Sequence, residues 1–145
     1  MGNKKTEKFD RPRVGIAIVL MKGGKVLLGK RKGSHGVGDY ASPGGHLEYM
    51  ESIENCVKRE AREETGMEVE NIKFLRIYNM KDYAPKHYID IAVTCQWKSG
   101  EPKVMEPEKC ESWAWYSLDE MPSPLFKSWP TIIEALKTGR NYFDN

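Results

Sequence analysis

Cysteine is scarce in this sequence. Cys56, Cys95 and Cys110 are odd in number, widely spaced and contain no Cys-x-x-Cys pair. A disulfide framework and a structural zinc site are therefore not expected, and a reducing cytoplasm is the expected setting. No apolar run approaches the roughly 18 residues that a membrane span requires. Met1 to Arg13 is polar and lacks a secretory h-region. An excess of one charge is lacking too: 23 Lys plus Arg stand against 21 Asp plus Glu, a formal net charge of +2. That balance gives no footing for a nucleic-acid polymer or a membrane surface as the main partner. There is no internal repeat.

What is present suits one globular domain. The chain has 145 residues, 39% hydrophobic and 30% charged, enough for a real core. Residues 1–12, with Lys4, Lys5, Lys8 and Arg11, are expected to form a flexible basic tail, and residues 13–145 a single domain. Val14 to Met21 and Lys25 to Gly29 flank Gly23-Gly24 and read as a β-hairpin. Lys30 to Gly44 reads as a loop. Ser52 is a plausible N-cap for a helix that runs to Thr65 and stops at Gly66. Ile72 to Asn79 and Tyr88 to Lys98 read as strands joined by a turn at Asp82 to Lys86. In the second, Ile89, Ile91, Val93 and Cys95 alternate with Asp90, Ala92 and Thr94, which implies two different sheet faces. Glu101 to Glu111 is a charged loop, Trp113 to Ser117 a short strand, and Thr131 to Lys137 a last helix ending at Gly139. Strands and helices mix without a regular βαβ rhythm, so the fold class is α+β or a mixed-sheet sandwich.

The helix from Ile53 to Thr65 contains an anomaly. At about 100° per residue, Glu60 and Glu64 fall on the same stripe as Ile53, Cys56 and Val57. Like charges at i,i+4 cost a few tenths of a kcal/mol even when exposed, and unpaired buried carboxylates cost far more. Taken alone, these charges read as readily as a solvated face with Arg59 paired to Glu63. The flanks favour a site. Gly44-Gly45 permits close backbone approach to a ligand, and the adjacent helix N-terminus favours anions. Clustered hard oxygen donors suit Mg²⁺ or Mn²⁺.

At this point a resemblance is carried by specific residues. Gly45, Glu51, Arg59-Glu60-Ala61, Glu63-Glu64 and Gly66-Met67, at these spacings, resemble the Nudix box. The resemblance implies an α/β/α sandwich with a mixed β-sheet flanked by helices. It implies that Glu60 and Glu64 hold divalent metal together with the Gly44 carbonyl. Glu63 would ligate a second metal or orient the attacking water. Glu51 and Arg59 would pair to hold loop and helix together. Arg31 resembles the phosphate-contacting arginine of MutT-type members, His35 falls where a histidine near the nucleotide would lie, and Gly45 lets substrate approach the backbone. Among loop acids that relatives use as an extra ligand or general base, Glu111 and Glu108 rank above Glu106.

Three segments narrow the resemblance: residues 29–34, residues 43–48 and residues 105–113. They are similar to MutT-related nucleoside triphosphate diphosphatases of plants and animals, which sanitise modified nucleotides. The implied reaction takes a (deoxy)nucleoside triphosphate to monophosphate plus pyrophosphate, and the implied assembly is a homodimer. Near Leu125, where bacterial MutT carries a guanine-reading Asn, this chain is apolar, so strict oxidised-guanine specificity is not implied. A diphosphatase for nucleotide sugars or non-nucleotide diphosphates stays open, as does an inert Nudix-fold binding module. Tyr40, Tyr78, Tyr88, Trp113 and Phe126 could stack a base, but such rings are more often core.

Overall fold

A computed structural model describes residues 11–33 and 35–144. The expected basic tail falls largely on residues 1–10, outside the described residues. A mixed sheet of eight strands forms the middle layer. The hairpin expected around Gly23-Gly24 is there: β1 (Arg13–Lys22) and β2 (Lys25–Arg31) pair antiparallel, with both glycines at positive φ. Short strands β3 (Tyr40–Ala41) and β4 (Gly44–His46) follow, then β5 (Glu68–Met80), β6 (Tyr88–Ser99), β7 (Cys110–Ser117) and β8 (Tyr142–Asp144). The central order is β3-β2-β1-β6-β5-β8, with β4 paired to β1 and β7 to β2. β1 runs parallel to β6, and β8 parallel to β5; the remaining pairs are antiparallel.

One helix covers each face. Helix α1 (Ile53–Thr65) buries Cys56, Val57 and Ala61 against Ile16, Ile18, Leu20 and Val93. Helix α2 (Trp129–Thr138) buries Trp129 and Ile132 against the alternate residues Ala17, Val19 and Ala92. The strict alternation of these two sets along β1 is the period-two signature of a sheet covered on both sides. This is the α/β/α sandwich that the sequence implies.

Four expectations need correction. Gly44, expected at the end of a loop, lies with Gly45 in strand β4, where Gly45 faces Ile16 of β1. Tyr40–Ala41 interrupts the expected loop with a strand. Helix α2 begins at Trp129, because Pro130 fits a first-turn position that needs no N–H. Ile53, placed on the inward stripe, is 37% exposed: it sits in the first helical turn, while the buried stripe starts at Cys56.

Candidate active site

Helix α1 is anchored at both ends, which fixes the height of its acids over β4. Ser52 Oγ accepts from the Asn55 N–H at 3.1 Å, and Gly66 closes the C-terminus at φ 74°, donating to the Arg62 carbonyl. The Trp113 indole N–H and the Met105 N–H both donate to the Glu64 carbonyl, tying β7 and the preceding loop to that end. Against this helix lies β4. A Cβ on Gly45 would come within 2.5 Å of the Glu60 carboxyl carbon, so glycine is what allows the acid to press onto the strand. The Ile18 N–H donates to Pro43 O, and the Leu47 N–H donates to Val14 O. Ladder bonds therefore alternate, and Gly44 turns its own N–H and carbonyl away from β1. That N–H donates to Glu64 Oε1 at 3.2 Å, and the carbonyl opens to the same side.

Arg59 organises the other acids. Its Nε and Nη2 bind Glu51 at 2.7 and 2.9 Å, a bidentate pair across the loop–helix junction. Nη1 reaches Glu60 at 2.6 Å and Glu63 at 3.3 Å. Bonded to Arg59 and to the Glu48 N–H, Glu51 is held down to about 2. The Arg59 guanidinium is correspondingly raised. The pairing expected of Glu51 and Arg59 is thus present as geometry. Glu63 is more open than Glu60, its side chain 52% exposed against 13%.

Glu64 is different. Among the described residues it forms no ion pair, and it lies within hydrogen-bonding reach of Glu60. Burial, then Glu60, push its carboxyl well above the usual range, and the Gly44 N–H opposes them only in part. Two acids side by side, of which only Glu60 is bonded to an arginine, leave room for a cation. No three acid, His or Cys side chains among the described residues converge into a complete cage. That donor set fits Mg²⁺ or Mn²⁺, which take one or two carboxylates and complete their shell with water and substrate phosphate. Glu60, Glu64 and the Gly44 carbonyl are the groups that would hold it.

These groups open into a cleft of about 670 Å³. Arg31, Lys86, Lys109 and Arg13 also line it, a positive surround suited to phosphate. Arg31 lies at the end of β2, donates from Nε to the His35 carbonyl at 3.2 Å and stacks over Phe126 at 4.4 Å. Burial lowers its pKa, and it forms no ion pair with an acid among the described residues. His35 lines the same cleft, 3.3 Å from Lys86 Nζ and 4.6 Å from the Tyr83 ring. Burial, Lys86 and Arg31 all lower its pKa and favour the neutral imidazole. The structure brings together Gly44, Gly45, Glu60, Glu64, Arg31 and His35. The loop acids are placed otherwise. Glu111 stands on β7 facing Lys30 at 3.9 Å, and Glu108 is exposed. The charge of Glu106 is felt at Glu64 and raises its carboxyl further.

Sequence reasoning missed Lys86, Tyr83 and Asp90. Asp90 left one signal, an acid in an otherwise apolar alternation. It is 9% exposed and paired to Arg76 at 2.9 Å; burial raises its carboxyl and Arg76 opposes the rise. Of the aromatics, Tyr78 is core, whereas Tyr88, Trp113 and Phe126 border the cleft.

A helix presenting paired acids to a glycine strand, on a mixed sheet between two helices, defines a Nudix-type hydrolase fold. The chain belongs to the Nudix family: the NUDIX domain model matches residues 10–137. It is 35% identical over 107 residues to an ADP-ribose pyrophosphatase of Methanocaldococcus jannaschii, covering 73% of this chain and 63% of that protein. It is 31% identical over 115 residues to the NAD-capped RNA hydrolase NudC of Pseudomonas aeruginosa, covering 79% of this chain and 40% of that one. The chain therefore spans between 40% and 63% of the length of these relatives. Among solved structures, a MutT NUDIX hydrolase from Burkholderia pseudomallei superposes with a TM-score of 0.82 at 33% identity, covering 87% of this chain and 98% of that one. No helix among the described residues is long and apolar enough to cross a membrane.

Proposed function

We propose that this protein hydrolyses the diphosphate linkage of a (deoxy)nucleoside triphosphate, giving a monophosphate and pyrophosphate, with Mg²⁺ or Mn²⁺ as cofactor. The observation that carries this reading is Glu64, half-buried beside Glu60 with no ion pair among the described residues and open to a basic cleft. A bound divalent cation neutralises charge on phosphate oxygens and makes water a better nucleophile. Arg31 contacts the phosphates, and His35, neutral, donates or accepts a hydrogen bond nearby. Gly45 leaves space for the chain of phosphates. Glu63, more open than Glu60 and Glu64, accepts or orients the proton of the attacking water, or ligates a second ion. Glu106 is placed better than Glu108 or Glu111 to assist. Water adds to phosphorus, the bond to the bridging oxygen breaks, and the leaving phosphate departs as an anion held by the basic surround.

The test is Glu60→Gln and Glu64→Gln with Mg²⁺ present. Turnover of every diphosphate surviving both changes overturns the reading. A second reading, cleavage of a diphosphate joining two larger groups, is favoured by the relatives named for ADP-ribose and for NAD-capped RNA. A panel of triphosphates, nucleotide sugars, prenyl diphosphates and dinucleotides separates the two by rank order. We place the enzyme in the cytoplasm, as a homodimer; light scattering at the mass of one chain removes the dimer.

A further inference from the structure

The cleft has a second lobe on the α2 face of the sheet, opposite the face that carries Glu60 and Glu64. Gly15 and Ala17 line it with little side-chain bulk, and Tyr88 and Phe126 add aromatic surface. Asp90 stands in its wall. Arg76, fully buried, donates from Nη2 to Asp90 Oδ2 at 2.9 Å and from Nη1 to the Asp90 carbonyl at 2.8 Å. Its remaining contacts, to Thr131 Oγ1 and Ser128 O at 3.0 Å each, lock the guanidinium to the start of α2. The carboxylate plane is thereby fixed, and Oδ1 is turned toward Gly15, where a Cβ would lie 3.0 Å from it.

Asp90 Oδ1 accepts no hydrogen bond among the described residues. No sealed-off side-chain nitrogen or oxygen lacks a partner there, so Oδ1 retains surface, and the surface it meets is the cleft. Arg76 stays protonated and pairs with no other acid among the described residues, so the carboxylate beside it is held in the ionised form and can only accept. Two hydroxyls accompany it. Ser128 is 4% exposed and its side chain caps nothing. Ser42 Oγ accepts from the Trp129 indole at 3.1 Å and keeps its own proton to donate.

We infer that this lobe reads the base of the nucleotide, Asp90 Oδ1 selecting an edge that presents an N–H donor beside an acceptor for the serine hydroxyls. The inference rests on the nucleotide reading above. A ligand without the donor leaves a buried carboxylate oxygen stripped of water and unpaired, which penalises it on the order of ten- to a hundredfold.

The test titrates GMP and the monophosphate of unsubstituted purine riboside, which has no N–H on its base, into the full chain by calorimetry. The triphosphates of the same two nucleosides are compared in turnover. The wild-type protein is expected to bind GMP at least tenfold more tightly, and folded Asp90→Asn to shrink the ratio below threefold. Equal binding of both ligands by the wild type, or of neither, overturns the inference, as does a folded Asp90→Asn protein with the wild-type ratio. Circular dichroism establishes folding. Where Asp90→Asn does not fold, Gly15→Ala decides: its methyl displaces Oδ1, and an unchanged ratio is the overturning result. Discriminating binding without turnover of either triphosphate sinks the proposed reaction and leaves this base reading standing.

Discussion

On the α1 face Glu64 is half-covered and presses against a second acid, Glu60; on the α2 face Asp90 is covered and presses against Arg76. Burial raises both carboxyls, but only Asp90 has a cation of its own. The difference separates two uses of a buried acid. Asp90 is bonded to Arg76, and Arg76 to the start of α2, so the charge of Asp90 is matched without ligand and the pair contributes to the fold, while Oδ1 is left to the cleft. Glu60 and Glu64 are left short of positive charge, so the protein alone does not complete them. A buried acid marks a metal site when its countercharge is missing, not merely because it is buried.

The largest effect expected from this contrast is on stability. Arg76→Met strands Asp90, and losing one partner of a buried pair costs about 3–5 kcal/mol. For a chain of this size Tm should fall by roughly 10 °C or more. A loss below 1 kcal/mol in urea unfolding, about the value of a surface ion pair, breaks the contrast on the α2 side. Glu64→Gln should behave oppositely. It lowers kcat by about a hundredfold or more, but in EDTA it leaves Tm unchanged or raised, because a like charge has been removed. A Tm drop in EDTA like that of Arg76→Met breaks the contrast on the α1 side.

Mg²⁺ sharpens it further. At ten times its Kd the ion adds about 1.4 kcal/mol to the wild-type protein, read as a rise in Tm. Glu64→Gln should lose most of that rise, and Ser128→Ala, on the other face, should keep it. The smallest effect concerns Glu51, an acid with its cation in place. Its pKa is lowered from 4.5 to about 2 by Arg59. The folded-state value is depressed, so the contribution to stability is complete above pH 4.5 and is lost as pH falls toward 2. Urea midpoints at pH 6 and pH 3 should show it: Glu51→Gln destabilises at pH 6, and its difference from wild type narrows at pH 3.

Much of the α1 side was legible in the sequence because it is local. Ser52, Gly66 and the spacing of Cys56, Val57, Glu60 and Glu64 lie within a few turns of one helix, where a period of 3.6 converts position into direction. Glu51 and Arg59 are close enough along the chain for a motif to hold both. Gly44 was legible as a close approach but not as a strand, since its partner Ala17 lies in another part of the chain. Glu106 was ranked last among the loop acids because sequence order carries no distance to Glu64. The lobe around Asp90 was not legible at all. Its alternation with Ala92 and Thr94 showed that β6 has two faces, but not that the acid-bearing face lies under α2 with Arg76 beneath it.

The sequence by itself determined the helix, its caps, the strand periods and the constellation from Gly45 to Met67, all properties of neighbouring residues and their repeat. The tertiary structure decided which charges meet. It laid β6 parallel to β1, put Asp90 beside Gly15 and brought Arg76 beneath it from β5. It also left Glu64 with an acid for a neighbour and no ion pair among the described residues. The physical reason is that periodicity propagates along the chain, whereas countercharge and burial depend on distances across the sheet.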